Sequence, residues 1–387
     1  MSMTMRAAVL YAQGSQPPFA ESRPLVVEDV VLDDPGPGEV LVRIAAAGLC
    51  HSDLSAITGE RPRAVPAVVG HEAAGVVEAI GPQVDDFAVG DHVVMVFVAS
   101  CGMCSYCSEG RPNLCQSSWA ARSNGTLQTG ARRLKVRDTP LHHWSGISAF
   151  AQYAVVVPAS LVKIHRDVPL DVAAVFGCAV VTGVGAVVNA ARVPAGASVA
   201  LVGLGGVGLS ALIGAVAIGA SRIVAIDTND AKLQLAAELG ATDVFNARDP
   251  ECVARVRDCS RGGVEFAIEA AGSAAAVELA CAVTARGGTT VTAGLPQPSQ
   301  HLSIPLAALV ADERVIRGCY MGSCVPRRDI PRYVEMYRRG KLPVDRLRSG
   351  TVTFEGLNMG FDRLARGETV REILVPGGLA VPLATAR

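Results

Sequence analysis

Four cysteines stand within fifteen residues: Cys101, Cys104, Cys107 and Cys115. Clustered thiols in a reducing compartment point to metal rather than to disulfides. Gaps of two, two and seven residues let four thiolates wrap one tetrahedral Zn²⁺. Every ligand then comes from the chain, so this zinc has no open position and is structural. A second set is dispersed: Cys50-His51-Ser52-Asp53, Gly70-His71-Glu72 and Gly177-Cys178. Taken singly, each has a plain reading, because Cys is often buried and a His can satisfy a core hydrogen bond. Taken together, Cys50, His71 and Cys178 make the two-thiolate, one-imidazole pattern of a catalytic zinc. The fourth position is left for water or substrate. Asp53 suits a place behind the imidazole of His71, orienting it.

The third constellation is Gly203-Leu-Gly205-Gly206-Val207-Gly208, followed by Asp227 at 24 residues from Gly203. Glycines at these positions permit a tight turn, close approach of backbone to a pyrophosphate and close helix–strand packing. An acid at the end of the next strand accepts hydrogen bonds from the adenosine ribose and repels a 2′-phosphate. The reading is a dinucleotide site for NAD.

These residues need two kinds of scaffold. Segments 26–32, 40–46, 73–79 and 92–97 are β-rich runs, the first two separated by the breaker Asp33-Asp-Pro-Gly-Pro-Gly38. From about Pro169 the rhythm changes. Apolar strands at 198–202, 222–226, 264–270 and 289–293 alternate with helical patterns such as 209–218, 230–239 and 274–285. That alternation predicts a doubly wound parallel sheet, an α/β Rossmann-type domain. An amphipathic helix follows near 329–339. The zinc residues thus fall on a β-rich domain, and the glycine turn falls on a nucleotide-type domain.

Composition narrows the class. The 387 residues suggest two to three domains, and 50% hydrophobic against 18% charged residues allows a large core. Lys+Arg 35 against Asp+Glu 36 leaves a net charge of −1, without the electrostatic footprint of a nucleic-acid binder. Residues 193–221 carry no charge, but seven glycines break that stretch, so it reads as buried strand, turn and helix rather than a membrane span. The opening Met1–Leu10 stretch lacks the long apolar region of a secretory leader, which predicts a soluble, cytoplasmic protein.

The three sets together resemble the zinc-dependent alcohol dehydrogenases of the medium-chain dehydrogenase/reductase superfamily. The likeness runs from Arg6-Ala-Ala-Val to Arg371-Glu-Ile-Leu, and Gly70-His-Glu-Ala-Ala-Gly75 and the four-cysteine lobe are its most specific marks. Gly125-Thr-Leu-Gln, His142-His143-Trp144 and Gln152-Tyr153 resemble the long loop of the dimeric branch, which includes liver-type enzymes and thiol-dependent formaldehyde dehydrogenases. The resemblance implies a GroES-like catalytic domain over 1–179, an NAD-binding Rossmann domain over 180–321 and a C-terminal return over 322–387.

It also implies roles. Cys50, His71 and Cys178 match the catalytic zinc ligands, and Glu72 the carboxylate that can approach the metal. Ser52 matches the hydroxyl that receives the alcohol proton. His51 and Arg371 match contacts to the cofactor pyrophosphate, and Lys232 a contact to the ribose beside Asp227. Thr182 and Val207 match residues packed on the nicotinamide. The backbone at Ala293, Leu295, Cys319 and Met321 would hold the carboxamide, and Phe97 and Phe150 look like substrate-pocket walls. Two positions depart from the pattern. Ser55 stands where liver-type members carry a terminal proton-accepting His, and Trp119 stands where the glutathione-dependent branch carries an Arg.

The expected activity is reversible oxidation of a small-molecule alcohol to an aldehyde or ketone by a homodimer carrying two zinc ions per chain. Zinc lowers the pKa of the alcohol, and hydride passes to NAD. The alternative within the class is oxidation of an S-hydroxymethyl-thiol adduct. The alternative outside it is a non-catalytic zinc- and nucleotide-binding protein, which would be expected to have lost a catalytic ligand. None is missing.

Overall fold

A computed structural model describes residues 2–378. The chain divides into two compact units, one built from residues up to 178, 325–338 and 344 onward, the other from 179–324 and 339–343.

The first unit is β-rich. Strand β1 (Ser2–Leu10) pairs antiparallel with β2 (Leu25–Asp33) at all nine positions. After the Pro-Gly breaker, β3 (Val40–Gly48) forms the spine of a second sheet. It pairs antiparallel with β4 (Ala73–Ile80), with Tyr153–Val156 and with the late strand Glu372–Leu374. β5 (His92–Met95) extends that sheet beyond β4. Val40, Val42 and Ile44 alternate inward from β3 and meet Phe150 and Phe361 in one buried cluster. The period of two is what a half-buried strand requires. A short helix, α1 (His51–Ile57), leaves the end of β3, and α2 (Gln116–Asn124) follows the cysteine lobe and stops at Gly125, whose φ of 63° is left-handed.

The second unit opens on α3 (Ala179–Gly185) and carries β6 (Ser198–Val202), α4 (Gly206–Ala217), β7 (Arg222–Asp227), α5 (Asp230–Glu238), β8 (Asp243–Asn246), β9 (Val264–Glu269), α6 (Ala274–Val283), β10 (Thr284–Thr292) and β11 (Val315–Gly318). The six strands are all parallel, in the order β8-β7-β6-β9-β10-β11. Chain direction across the sheet reverses between β6 and β9, the switch point where such sheets bind ligands beyond their carboxyl ends. No helix among the described residues is long and apolar enough by itself to cross a membrane.

The parallel sheet and the β-rich first unit agree with expectation, with three differences of detail. The sheet has six strands where sequence pattern marks four. β8 and β11 are its two edges, and β11 is mostly exposed, so neither shows the apolar run of a buried parallel strand. Helix α4 starts at Gly206 rather than 209, because glycines hide a helix start that tertiary packing imposes. Helix α6 ends at Val283, and Thr284 already pairs with Val264 in the sheet.

The C-terminal segment is bound into the first unit by a buried acid. Asp362, 4% exposed on the helix Leu357–Ala365, accepts from the backbone N–H of Phe19 at 2.6 Å and of Ala20 at 2.8 Å. Asp362→Ala leaves two donors without that acceptor and is expected to cost ~1.5–3 kcal/mol, as for hydrogen bonds to a charged group. Calorimetry should show a lower melting temperature for the first unit; an unchanged melt would mean that water replaces the carboxylate.

Candidate active site

Three strand ends converge to build the centre of the first unit. β3 and β4 are antiparallel with Ala47 opposite Ala73, so the residue following β3 and the residue preceding β4 share one edge. The Gly48 N–H donates to the Glu72 carbonyl at 2.8 Å, and the Leu49 N–H to the Glu372 carbonyl at 2.9 Å. Cys50 sits at the N-cap of α1, and His71 lies two residues before β4. Gly70, at φ +92°, has no room for a Cβ, which would fall 2.6 Å from Phe150. Cys178 arrives from another direction. A Cβ on Gly177 would lie 2.2 Å from the Met95 carbonyl, so only glycine lets the chain pass the end of β5 there.

The result is a buried cluster. The ligand atoms of Cys50, His71 and Cys178 lie within 4.8 Å of one another, and all three residues are buried. Asp53, 0% exposed on α1, meets His71 Nδ1 at 2.9 Å. That contact places the ring proton on Nδ1 and leaves Nε2 for the cluster. Burial works to lower the imidazole pKa, but the Asp53 carboxylate outweighs it and raises His71 well above the ordinary value. The hydrogen bond between the thiols pulls Cys50 well below the usual thiol range and pushes Cys178 well above it. Glu72 is fully buried, and neither carboxylate oxygen has a hydrogen-bond partner. Burial raises its pKa to about 7, with Arg371 opposing the shift. Arg371 lies 3.4 Å from Glu72 and donates to the Leu49 carbonyl at 2.7 Å. Two thiols and one imidazole are a donor set for a borderline-soft divalent cation, and they fit zinc with one position left open, the Glu72 carboxylate lying nearby against Arg371.

The second cluster joins Cys101, Cys104, Cys107 and Cys115, again within 4.8 Å. Backbone N–H groups point at the sulfurs, from Cys101 to Cys115 Sγ at 3.3 Å and from Cys104 to Cys101 Sγ at 3.4 Å. Four thiols this close cannot all ionise unaided. Backbone donation brings Cys104 down to about 6, while burial drives Cys107 up to about 12. A divalent cation removes that conflict, and four sulfurs close its coordination.

In the second unit the glycine turn has the shape a pyrophosphate needs. A Cβ on Gly208 would lie 1.8 Å from the Gly203 carbonyl, whereas one on Gly205 would meet nothing within 4 Å. The first forces close packing and the second leaves open space at the N-terminus of α4. Asp227 braces this turn. Its two oxygens accept from the Leu204 N–H at 2.6 Å and the Asn229 N–H at 2.9 Å. A carboxylate has about four acceptor positions, so two remain for ribose hydroxyls. The residues therefore fit a dinucleotide.

Other marked residues fall as follows. His51 and Ser52 open α1, with His51 exposed. Phe97 packs edge-on against His71 with ring centroids 5.3 Å apart, and Arg122 lies over its face at 5.9 Å. Phe150 is fully buried in the core beside Phe361, with centroids 6.1 Å apart. Lys232 lies in the first turn of α5, Thr182 is buried on α3, and Val207 follows the first residue of α4. Ala293 and Leu295 follow β10; Cys319 and Met321 follow β11 and are buried. One acid escaped the sequence reading. Glu269 ends β9 and is 0% exposed, whereas Glu265, the strand's other acid, faces outward. An acid at the carboxyl end of a parallel strand was the available signal.

An open thiolate–imidazole centre and a dinucleotide turn in one chain define a metal-dependent oxidoreductase. Residues 36–166 match the alcohol dehydrogenase GroES-like domain, and residues 206–339 the zinc-binding dehydrogenase domain. The chain is 36% identical over 358 residues to alcohol dehydrogenase class-3 of Drosophila melanogaster, covering 91% of this chain and 94% of that one. It is similar to the crystal structure of an alcohol dehydrogenase zinc-binding domain protein from Burkholderia ambifaria. That match has a TM-score of 0.91, 35% identity and coverage of 97% and 100%. Benzyl alcohol dehydrogenase from Acinetobacter calcoaceticus gives 0.90, 34%, 96% and 99%. The chain belongs to the zinc-binding alcohol dehydrogenase family. It is an oxidoreductase that uses zinc and a nicotinamide dinucleotide to oxidise an alcohol.

The two clusters should differ in lability. Metal analysis of untreated protein is expected to find two zinc ions per chain, and mild chelation to remove activity before the fold melts. Asp53→Ala should weaken metal binding at the Cys50/His71/Cys178 centre by roughly 10–100-fold, measured by chelator competition. Full occupancy of that centre in the variant at wild-type chelator concentrations would show that Asp53 does not support the ligand.

Proposed function

We propose that this protein oxidises an ordinary alcohol with NAD as the hydride acceptor. The observation that carries this reading is the buried Cys50/His71/Cys178 cluster backed by Asp53 at 2.9 Å. Those three side chains hold the zinc, which when bound supplies a Lewis acid that lowers the pKa of the alcohol oxygen. Asp53 keeps the imidazole in one tautomer and orientation. Ser52, beside the first ligand, carries a hydroxyl that both accepts and donates, so it can take the substrate proton and hand it outward. The Ser55 hydroxyl is already committed to the His51 carbonyl at 2.9 Å, and a serine does not titrate near neutrality. Ser55 therefore does not end a proton route, and the exposed His51, next to Ser52 at the start of α1, is the titratable side chain that can pass the proton to solvent.

NAD is favoured over NADP by Asp227, whose charge opposes a 2′-phosphate. A second reading, oxidation of a thiol adduct of formaldehyde, draws on Arg122, a cation placed against Phe97. Trp119 speaks against a glutathione carrier, since the resemblance sets an Arg at that position in the glutathione-dependent branch. NAD reduction with a panel of alcohols, set against formaldehyde with low-molecular-weight thiols, separates the two. Turnover confined to the thiol mixtures would overturn the alcohol reading.

A homodimer is the proposed assembly. β11 is one edge of the six-stranded sheet; Val315, which opens it, is 46% exposed, and Leu306 and Val310 on the helix just before it are 70% and 71% exposed. An open strand edge with exposed apolar side chains near it is a liability unless a partner covers it, and a second copy offers a matching edge. Val310→Glu with Val315→Lys is expected to give monomers in analytical ultracentrifugation. A monomeric wild-type protein would end the proposal.

Asp227→Gly removes charge-assisted hydrogen bonds to ribose worth ~1.5–3 kcal/mol, or roughly ten- to a hundred-fold in NAD affinity. It should also relax exclusion of NADP and soften the glycine turn that Asp227 braces. The ratio of NAD to NADP dissociation constants decides it: a wild-type ratio in the variant would show that Asp227 does not read the ribose.

A further inference from the structure

The buried Glu269 carboxylate is the one acid at the switch point that the reading so far leaves without a task. It ends β9, beside Val202 on β6 and Thr292 on β10. One oxygen accepts from the Gly272 N–H at 2.5 Å and the other from the Thr292 hydroxyl at 2.6 Å. A carboxylate with 0% exposure is costly to bury, and these two bonds offset that cost only while both loops stay in place.

The loops it joins approach at contact distance. A Cβ on Gly294 would lie 2.2 Å from the Gly272 nitrogen and 2.9 Å from Glu269 Oε1. Gly272, at φ +76°, would carry a Cβ 3.2 Å from the Leu295 nitrogen. Thr292 is the junction. Its hydroxyl donates to Glu269, its carbonyl accepts from the Cys319 N–H at 2.8 Å, and residues 293–295 continue directly from it. The Glu269 carbonyl in turn accepts from the Ala293 N–H at 2.8 Å. The segments at 293–295 and 319–321 therefore take their positions from a single bracket.

We propose that Glu269 is a positioning residue for the nicotinamide half of the cofactor, setting these two backbone segments through Gly272 and Thr292. This rests on the NAD reading above and on the resemblance that sets the nicotinamide carboxamide against Ala293, Leu295, Cys319 and Met321. The adenosine half has a further brace of its own, since Asp227 holds Leu204, and the Gly203 N–H bonds the Ile226 carbonyl at 2.9 Å. Gly203 also packs against Ala271, so the variant that separates the halves is one at Thr292, which leaves the Gly272 bond in place. Loss of the Glu269 bracket should therefore weaken ligands that carry nicotinamide and spare those that lack it.

The test uses the full-length, zinc-loaded protein and compares dissociation constants for NADH and ADP-ribose, with thermal melting alongside. Thr292→Val keeps side-chain size and removes one bond; it is expected to weaken NADH by roughly ten-fold and ADP-ribose by no more than about two-fold. Glu269→Gln retains an acceptor for Gly272, and the Thr292 hydroxyl can rotate to accept from the amide. That variant should keep the wild-type ratio of the two constants. Glu269→Leu removes both bonds and should widen the ratio further; should it fail to fold, Thr292→Val still decides. A purely structural role would lower the melting temperature without splitting NADH from ADP-ribose, and an unchanged ratio in Thr292→Val overturns the proposal. Wild-type protein that binds neither ligand would overturn the NAD reading itself, and this inference with it.

Discussion

Cys50, His71, Glu72, Cys178 and Arg371 are all buried around one point of the first unit, and a protein interior accepts such a collection only if the charges balance. Without a metal the conflict is met by keeping protons: the neighbouring thiol and burial push Cys178 up, and burial pushes Glu72 up, while Arg371 is the permanent cation beside them. A divalent cation is the simplest group that lets both thiols ionise. Much of the first unit follows from the need to assemble that set. β3, β4 and the strand Glu372–Leu374 must end at one edge, Gly70 and Gly177 must let the chain pass without side chains, and Phe150 and Phe361 must fill the space beneath.

The same constraint explains why the C-terminal segment returns to the first unit. Arg371 is the residue before the strand that pairs with β3, so the buried cation is delivered by chain more than three hundred residues after Cys50. Asp362 pins that return to the start of the chain with two backbone bonds. The buried centre is thus built from the beginning, the middle and the end of the sequence.

The second unit solves a different problem with similar means. Its ligand is large and flexible, so it presents backbone and fixes that backbone with acids. Asp227 braces the glycine turn, and Glu269 ties the loops that follow β9 and β10. Each acid stands at the carboxyl end of a parallel strand next to the switch point, where exposed loop backbone has to be held still without closing the crevice.

The four-cysteine lobe was legible in the sequence because its ligand type and spacing are local, whereas the dispersed Cys50, His71 and Cys178 were legible through residue type alone. Cys101 to Cys115 form a lobe from one short stretch, and the glycine turn lies between adjacent elements. The strongly apolar strands were legible for the same reason, while β8 and β11, exposed at the edges, carried no such pattern. Tertiary structure decided everything that depends on long-range proximity. The contact of Arg371 with Glu72 could not be read from residues so far apart, nor could the burial of Phe150. Glu269 looked no different from Glu265 in the same strand until the fold buried it and the register placed Thr292 beside it. Residue types set which bonds can form. Only the paired strand ends, which bring distant side chains within a hydrogen-bond length, set which bonds do.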